Sequence, residues 1–484
     1  MFKTSVRKGR PMKAPVIAKL ALVACAATFL CPAVGAAEPP NIVVIFIDDM
    51  GYGDIGPFGS KLNKTPHLDK MAAEGLKLTS FYVAAPVCTP SRAALMTGCY
   101  PMRVGLARGS GHAVLFPGDH WGLHPAEITV AEMLQASGYV TGCFGKWHLG
   151  DQPGFLPTDQ GFDVYFGIPY SNDMWPGLRR WQFPKLPLLR GSQVVGEVKD
   201  MDDQADLCRL FTEEAVKFIR ANQQQPFFVY LPHAFVHHPR QATERFMNGT
   251  QNPDKVTGGQ IEEVDWSVGQ ILDTLRELKL AKKTLVIFTS DNGGARGCVN
   301  APLRGGKGST WEGGMREPTV AWWPGSIRAG TVCDELATAM DLLPTFAALA
   351  GAELPPDRIM DGRDISPLLR GDPAAKSPHE AFFYYGGTNL RAVRSGPWKL
   401  HASGQLFNLD EDIGESRNVA AAHPDIVTRL NGYLEDARTD LGDGQLKGAN
   451  CRPVGVAKNP RTLVPRPGVE SEEGYRPTLS LGRN

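Results

Sequence analysis

The chain has 484 residues, enough for about two or three domains of typical size, and its 42% hydrophobic and 21% charged residues are typical of a soluble globular enzyme. The chain has 51 lysine and arginine residues and 51 aspartate and glutamate residues. It therefore lacks the excess of basic residues that would indicate a nucleic-acid-binding protein. The nine cysteines include no C-x-x-C pair, which argues against a zinc or thiol-redox site.

The N-terminus has the three parts of an export signal. Basic residues precede Leu20–Leu30, an apolar segment too short to be a stable transmembrane anchor, and small residues follow at Ala33–Ala37. We therefore predict a signal peptide over residues 1–36, with no stable membrane anchor in the mature chain. The expected destination is the periplasm or the medium, or the secretory and lysosomal route in a eukaryote.

The first segment of the mature chain predicts a buried strand that ends in two acids. Asn41–Ile47 is a continuous apolar run of the kind found in strands covered on both faces, and Asp48 and Asp49 follow it directly. Sites in α/β folds lie at the carboxyl ends of such strands. Adjacent side chains on a strand point in opposite directions, so both acids can face one ion only if the chain bends there. Seen alone, a plain loop explains the two acids equally well.

The stretch from Cys88 to Gly98 predicts a short helix with an anion site at its start. Thr89 can cap the helix, Pro90 suits its first turn and Gly98 suits its end. Cys88 would then lie at the positive end of the helix, one turn from Arg92, and both features are expected to lower the pKa of its thiol. The alternative is a cysteine that only packs.

Two later strands are also followed by groups suited to anion binding and proton transfer. Lys146 and His148 come after the strand Tyr139–Phe144, and on an extended segment they would share a face. Three histidines follow the strand Pro226–Leu231, at positions 233, 237 and 238. For His233 we expect only a hydrogen bond to loop backbone. A surface turn remains the alternative for Lys146 and His148.

A second acidic strand end repeats the arrangement of the first. Thr284–Thr289 predicts a buried strand, and Asp291 and Asn292 follow it. Carboxylate and amide oxygens are the ligands that Ca²⁺ and Mg²⁺ prefer, so the two strand ends together predict a site for a hard divalent cation. Lys307 lies farther on, in a glycine-rich stretch that would let the backbone approach an anion, although a flexible surface loop explains this stretch equally well.

The remaining pattern divides the chain into an α/β part and a smaller β part. Strands and helices alternate over residues 37–370, which predicts one α/β domain, with an irregular excursion at Trp175–Val198. Short β-like runs joined by glycine turns predict an antiparallel sheet with a packed helix over residues 371–445. Residues 446–484 are rich in proline, glycine and arginine and predict an irregular tail.

Several segments together resemble a known enzyme family. C-T-P-S-R-A-A-L-x-T-G at Cys88–Gly98 resembles the signature of the formylglycine-dependent type I sulfatases, most closely the arylsulfatases. Further segments match the same family in the same order, over about residues 40–435. They are the acidic strand end at Asp48, the segments G-K-W-H-L-G and D-N-G, and the glycine-rich segment around Lys307. The resemblance implies an alkaline phosphatase-like fold, with a large mixed sheet flanked by helices and a smaller C-terminal antiparallel sheet.

The resemblance also implies a chemistry. Cys88 would be oxidised by a formylglycine-generating enzyme to Cα-formylglycine, and the hydrated aldehyde would attack the sulfur of a sulfate monoester and form a sulfo-enzyme intermediate. One Ca²⁺ or Mg²⁺ per chain would be bound by Asp48, Asp49, Asp291 and Asn292 together with the modified residue 88.

Roles for the other groups follow from the same motifs. Arg92 would hold the aldehyde, Lys146 and Lys307 would bind sulfate oxygens, and His148 would take the proton that lets sulfate leave. His237, in a His-x-Pro pattern, would protonate the leaving alcohol, with His233 and His238 as alternatives, and Ser171 would contact the substrate.

Three functions remain open from the sequence. The expected function is sulfate-ester hydrolysis, on a small molecule or on a sulfated carbohydrate or lipid. A phosphomonoester or phosphodiester hydrolase of the same superfold would reuse the metal site, and a catalytically silent protein that binds sulfated glycans would keep the pocket without the chemistry. Two lysines with a single metal favour sulfate.

Overall fold

The strand predicted at the start of the mature chain lies near the centre of an eleven-stranded mixed sheet. A computed structural model describes residues 38–177 and 182–464, so the predicted signal peptide and the end of the predicted tail lie outside the described residues. The strands are β1 (Asn41–Ile47), β2 (Leu76–Tyr82), β3 (Trp121–Gly122), β4 (Val140–Lys146), β5 (Val164–Ile168), β6 (Leu186–Arg190), β7 (Gln193–Val198), β8 (Phe227–Pro232), β9 (Thr284–Ser290), β10 (Arg316–Trp322), β11 (Thr331–Cys333), β12 (Ala337–Thr338), β13 (Phe382–Gly386), β14 (Asn389–Ser395), β15 (Trp398–His401), β16 (Leu406–Asn408), β17 (Gly442–Asp443), β18 (Leu446–Lys447) and β19 (Gly455–Val456).

Helices cover both faces of this sheet. They are α1 (Pro66–Glu74), α2 (Cys88–Thr97), α3 (Val130–Ala136), α4 (Met201–Ala221), α5 (Glu244–Gly249), α6 (Lys255–Glu277), α7 (Glu312–Met315), α8 (Leu342–Ala350), α9 (Ser366–Leu369) and α10 (Pro424–Asp440). Among the residues described, no helix has both the length and the apolar character that a membrane span requires.

The order of the strands brings five carboxyl ends to one edge. The sheet runs β11-β2-β10-β9-β1-β8-β4-β5-β6-β7, with β12 beside β2. Strands β9, β1, β8, β4 and β5 are mutually parallel, whereas β10 and β6 join them in the antiparallel direction. In such a sheet, ligands bind beyond the carboxyl ends of the parallel strands.

Strand β1 explains why the sheet has a core on each side. Every residue from Ile42 to Ile47 is fully buried, and successive side chains point to opposite faces. Alternate residues from Ile42 pack with α2, α3 and α8, and those from Val43 pack with α1, α4 and α6. The continuous apolar run therefore reflects burial on both faces, as the sequence predicted.

The segment predicted to be irregular contains a β-hairpin, so that prediction was wrong for Leu186–Val198. Strand β6 pairs antiparallel with β5 and with β7, and it extends the large sheet at one end. Pro187 is tolerated in β6 because it lies close to the sheet edge, where a missing backbone donor costs little. The free edge of β5 supplies the pairing that the local sequence did not reveal.

The C-terminal part forms the smaller antiparallel sheet that the sequence predicted. Strands β13 to β16 pair in chain order, and α10 packs on them through Leu430 and Leu434. Beyond that sheet, β19 pairs with β3. The combination of a large mixed sheet and a small antiparallel sheet is the expected alkaline phosphatase-like arrangement, and this prediction is confirmed.

A buried ion cluster connects the small sheet to the α/β part of the chain. The Lys399 ammonium lies 3.0 Å from Glu312 Oε1 and 2.8 Å from Glu415 Oε1, and all three side chains are fully buried. Lys399 also donates to the backbone oxygen of Thr310, at 2.9 Å. Because Thr310 and Glu312 follow Lys307 closely, the cluster fixes the position of the segment that carries Lys307.

We expect Lys399→Met to lower the free energy of unfolding by about 3–5 kcal/mol, because it leaves two buried carboxylates without their shared cation. Urea unfolding followed by circular dichroism would measure the loss. Lys376→Met is the matched control, since its ion pair with Glu335 is largely exposed and little change is expected. Equal losses in the two variants would contradict this account of the cluster.

Candidate active site

The two acidic strand ends meet at the carboxyl edge of the sheet. Strands β1 and β9 are parallel neighbours, and the backbone N–H of Asp49 donates to Asp291 Oδ1 at 3.3 Å. Asp49 has a φ of 64°, in the left-handed region that non-glycine residues rarely adopt. The bend that the pair of acids required is therefore present, and it lies at Asp49 itself. Asp48, Asp49, Asp291 and Asn292 are all fully buried.

Two lysines lie against the two carboxylates of β1. Lys146, the last residue of β4, contacts Asp48 and also donates to Ser171 Oγ at 3.0 Å. The Lys307 ammonium lies 2.8 Å from Asp49 Oδ1. Burial lowers the pKa of Lys307, but Asp49 and its other anionic neighbours raise it more, so the net shift is upward. Both lysines thus stay charged in a site largely shielded from water.

Arg92 connects the short helix to the strand ends. Its Nε and Nη2 donate to Asp291 Oδ2 at 3.1 and 2.7 Å, and its Nη1 donates to the backbone oxygen of Lys146 at 2.9 Å. The guanidinium is fully buried and lies over the ring of Phe46. This arrangement fixes Cys88, one turn earlier on α2, beside the carboxylates.

Oxygen atoms without partners indicate where a cation fits. Asp48 Oδ1 and Asn292 Oδ1 are buried and have no hydrogen-bond partner among the described residues. Burial and the neighbouring Asp48 raise the pKa of Asp291 to about 7. Ligand atoms of Asp48, Asp291 and Cys88 lie within 4.8 Å of one another. A set of carboxylate and amide oxygens with unused lone pairs suits Ca²⁺ or Mg²⁺, whereas a sulfur atom is a poor ligand for either ion.

The environment of Cys88 corrects two predictions. Helix α2 begins at Cys88, and Thr89 does not cap it but accepts a hydrogen bond from the backbone N–H of Leu115 at 3.1 Å. Gly98 ends the helix in the left-handed conformation, φ 66°, as predicted. The pKa of the thiol is not lowered, because burial raises it to about 11 despite the nearby lysines. All seven cysteines of the described residues are free thiols.

His148 is held as a neutral imidazole with one free nitrogen. Its Nε2 lies 3.0 Å from the backbone oxygen of Leu115, so this nitrogen carries the proton and donates it. Its buried Nδ1 has no partner in the described part of the chain. Burial, then Lys146, hold the pKa of His148 well below its usual value. The chain is left-handed at His148, φ 63°, so the expectation that it shares an extended face with Lys146 was wrong.

The three histidines after β8 have different surroundings. His237 is buried with its Nε2 3.8 Å from Asp49 Oδ2, and burial followed by Lys307 lowers its pKa to about 4. His238 lies at the surface, 3.5 Å from Asp173. His233 lies 2.9 Å from Ser267 Oγ, so the expected bond to loop backbone was wrong, because helix α6 supplies a closer partner. His237 and His238 each bring a ring nitrogen to within 4.8 Å of an Asp49 oxygen, and of these two His237 is the buried one.

Two further acids lie near the site, and the sequence pattern indicated them only weakly. Asp173 follows Ser171 in a loop, and burial raises its pKa, but His237, a hydrogen bond from His238 and Lys146 together lower it well below its usual value. Glu317 lies on β10, fully buried, with both carboxylate oxygens unpartnered among the described residues. Burial, then Asp291, raise the pKa of Glu317. An acid inside the apolar strand β10 was the available signal for Glu317.

The sequence matches two family models. The model described as Sulfatase matches residues 40–352, and that described as N-sulphoglucosamine sulphohydrolase, C-terminal, matches residues 306–440. The first includes every predicted site residue from Asp48 to Lys307.

Known proteins similar to this chain include several sulfatases. Human arylsulfatase A is 39% identical over 83% of this chain and 88% of its own length, and N-acetylgalactosamine-6-sulfatase of the dog is 42% identical over 76% of this chain and 73% of its own. The solved structure of Ps i-CgsB in complex with k-i-k-neocarrahexaose has a TM-score of 0.74 and 32% identity, and the match covers 82% of this chain and 92% of that one.

Proposed function

The chain belongs to the sulfatase family and is a sulfuric ester hydrolase, and we propose that it cleaves sulfate monoesters after oxidation of Cys88 to Cα-formylglycine. The observation that carries the proposal is the position of Cys88. Its buried thiol, with a pKa raised to about 11, would be a poor nucleophile and a poor ligand beside the carboxylates of Asp48 and Asp291. A hydrated aldehyde there supplies one hydroxyl to attack sulfur and a second whose deprotonation releases sulfate.

One divalent cation per chain, Ca²⁺ or Mg²⁺, fits beside residue 88. Asp48, Asp49, Asp291 and Asn292 would hold it, and the unpartnered oxygens of Asp48 and Asn292 support this set. The ion would offset the carboxylate charges and polarise the oxygens of the bound sulfate.

Lys146, Lys307 and Arg92 provide fixed positive charge for a sulfate group. Lys146 contacts Asp48, whereas Lys307 contacts Asp49. Because the two lysines lie against different carboxylates, they would bind different oxygens of the sulfate ester. Arg92 holds residue 88 in place through the start of α2. Preorganised charges of this kind stabilise the charge that develops on the transferring group, because they need no rearrangement during the reaction.

Proton transfer falls to the two buried histidines. The free Nδ1 of His148 can accept a proton from the second hydroxyl of the hydrated aldehyde. His237, with Lys307, would protonate the leaving alcohol; its burial beside Asp49 supports it over the exposed His238, and its closeness to Asp49 supports it over His233. Ser171 would contact the substrate, and the hydrogen bond that it accepts from Lys146 supports this role because it holds the hydroxyl beside the lysine.

A sulfated carbohydrate is the substrate class we favour. One relative is named for N-acetylgalactosamine 6-sulfate, and the structure of Ps i-CgsB contains a neocarrahexaose. A sulfated lipid or another small sulfate ester remains a second possibility for this site. The basic and apolar N-terminal segment supports export, and a formylglycine-generating enzyme would carry out the maturation of Cys88.

The decisive experiment combines the mass of the peptide containing residue 88 with an assay of sulfate-ester hydrolysis. We expect the mass of the tryptic peptide containing residue 88 to show conversion of the cysteine, and the converted protein to hydrolyse 4-nitrophenyl sulfate much faster than 4-nitrophenyl phosphate. Failure of a fully converted preparation to hydrolyse any ester in a panel of aryl, carbohydrate and lipid sulfates would refute the proposal. An unconverted Cys88 in a preparation that binds sulfated glycans without hydrolysing them would instead favour the silent binding protein.

A further inference from the structure

A cavity of about 660 Å³ lies beside Lys307. Its ionisable lining residues are His238, Arg240, Arg296 and Lys307, and the other lining residues are glycine, alanine and serine. No carboxylate belongs to this lining. A volume of this size is within the usual range for small-molecule sites.

Arg240 is fixed in place without an acidic partner. Its Nε donates to the backbone oxygen of Val236 at 2.9 Å, and its Nη1 donates to the backbone oxygen of Arg296 at 2.6 Å. Its Nη2 has only the sulfur of Cys298, at 3.4 Å. No carboxylate oxygen within residues 38–177 and 182–464 forms an ion pair with it. The side chain is therefore held by neutral groups, and the nearby carboxylates of Asp54 and Asp254 interact with its charge without forming an ion pair with it.

Arg296 adds a second unpaired charge. It is exposed, and its guanidinium forms no hydrogen bond or ion pair with any residue that the structure describes. Lys307, in contrast, is bound to Asp49, and so it joins the cavity to the active site. Two unpaired guanidinium groups beside a cavity without acids attract an anion, and arginine is suited to planar carboxylate and sulfate groups.

We propose that this cavity is a subsite for a second anionic group of the substrate, either a carboxylate or a second sulfate, in the part of the molecule beyond the scissile ester. The inference rests on the proposed function and narrows its substrate class to esters that carry a further negative charge. Arg296 contacts this second anion, and Arg240 provides fixed charge behind it.

Binding to the full-length Cys88→Ala variant tests the subsite without turnover. The probes are 3- and 4-sulfooxybenzoate, each compared with its methyl ester, and 1,4-phenylene disulfate compared with phenyl sulfate. We expect the probe with the second charge to bind about 10-fold more tightly in at least one pair. This ratio of the two affinities should fall as salt is added. The benzoate and disulfate pairs distinguish a carboxylate from a sulfate as the second anion.

Arg296→Ala in the same background should bring this ratio close to one, and Arg296→Lys should restore part of it. Arg245→Ala is the matched control, because Arg245 is also exposed, lies over Phe246 and is absent from the cavity lining. Its ratio should not change.

Equal affinity for the charged and uncharged members of every pair would overturn the inference, and so would a full ratio retained in Arg296→Ala. Hydrolysis of 4-nitrophenyl sulfate by the converted wild-type protein is measured separately. The subsite can therefore fail while the proposed function stands, and the absence of all hydrolysis would identify failure of the function itself.

Discussion

Cys88→Ala is expected to reduce hydrolysis of 4-nitrophenyl sulfate by at least about a thousandfold, because it removes the only side chain that can become the proposed nucleophile. The fold should persist. Residue 88 is in the first turn of α2, where alanine is well tolerated, and Arg92 continues to hold the helix against Asp291. Steady-state kinetics and thermal unfolding of the same preparation would measure the two effects.

Cys208→Ala is the matched control for the loss of a buried thiol. Cys208 is fully buried in α4, packs on the opposite face of the sheet from α2 and does not take part in the proposed chemistry. We expect it to keep its activity with a small decrease in thermal stability. Full activity in Cys88→Ala, measured with a protein free of wild-type contamination, would end the proposed mechanism.

The acidic cluster at the strand ends could be predicted because its signals are local. Each acidic pair directly follows an apolar strand, and parallel strands place their carboxyl ends at one edge. The sequence therefore indicated that Asp48 and Asp291 would lie close together, without any knowledge of the strand order. The same logic predicted Lys146 near the end of the strand that is β4, and the structure places these three residues together.

Features that depend on burial, or on contacts between residues far apart in sequence, could not be predicted from local patterns. The pKa of Cys88 is the clearest case, since helix position and Arg92 argued for a decrease, but burial, which only the packed fold determines, raises it. The hydrogen bonds of Arg92 to Asp291, and the position of Lys307 against Asp49, join residues far apart in sequence. Neighbouring helices likewise distinguish His233 from His237.

The hairpin β6–β7 shows the same limit at the level of secondary structure. The stretch Trp175–Val198, rich in proline, arginine and aromatic residues, has no clear period, whereas pairing with the edge of β5 was sufficient to form a strand. The prediction of the small C-terminal sheet succeeded because its strands are consecutive and joined by short glycine turns, so each pairing is local.

Asn292→Ala is expected to raise the Ca²⁺ or Mg²⁺ concentration for half-maximal activity by about 10- to 100-fold. The substitution removes Oδ1, a buried oxygen with no hydrogen-bond partner among the described residues, and also removes the hydrogen bond from Nδ2 to Asp49 Oδ1, 2.8 Å in length. The converted enzyme would be stripped with a chelator and then titrated with each ion. At saturating ion, much of the activity should return, because the carboxylates of Asp48, Asp49 and Asp291 remain.

Asn252→Ala is the control that separates the effect of losing a cation ligand from the effect of losing a buried asparagine. The Asn252 side chain is also buried, but it donates to Asn63 Oδ1 at 2.7 Å and accepts from the backbone N–H of Asp254 at 2.9 Å, so both of its polar atoms have partners. We expect this variant to lose stability while its ion titration coincides with that of the wild type. An unchanged titration in Asn292→Ala would remove this residue from the cation site, and a shift of equal size in both variants would mean that the titration reports stability rather than ligation.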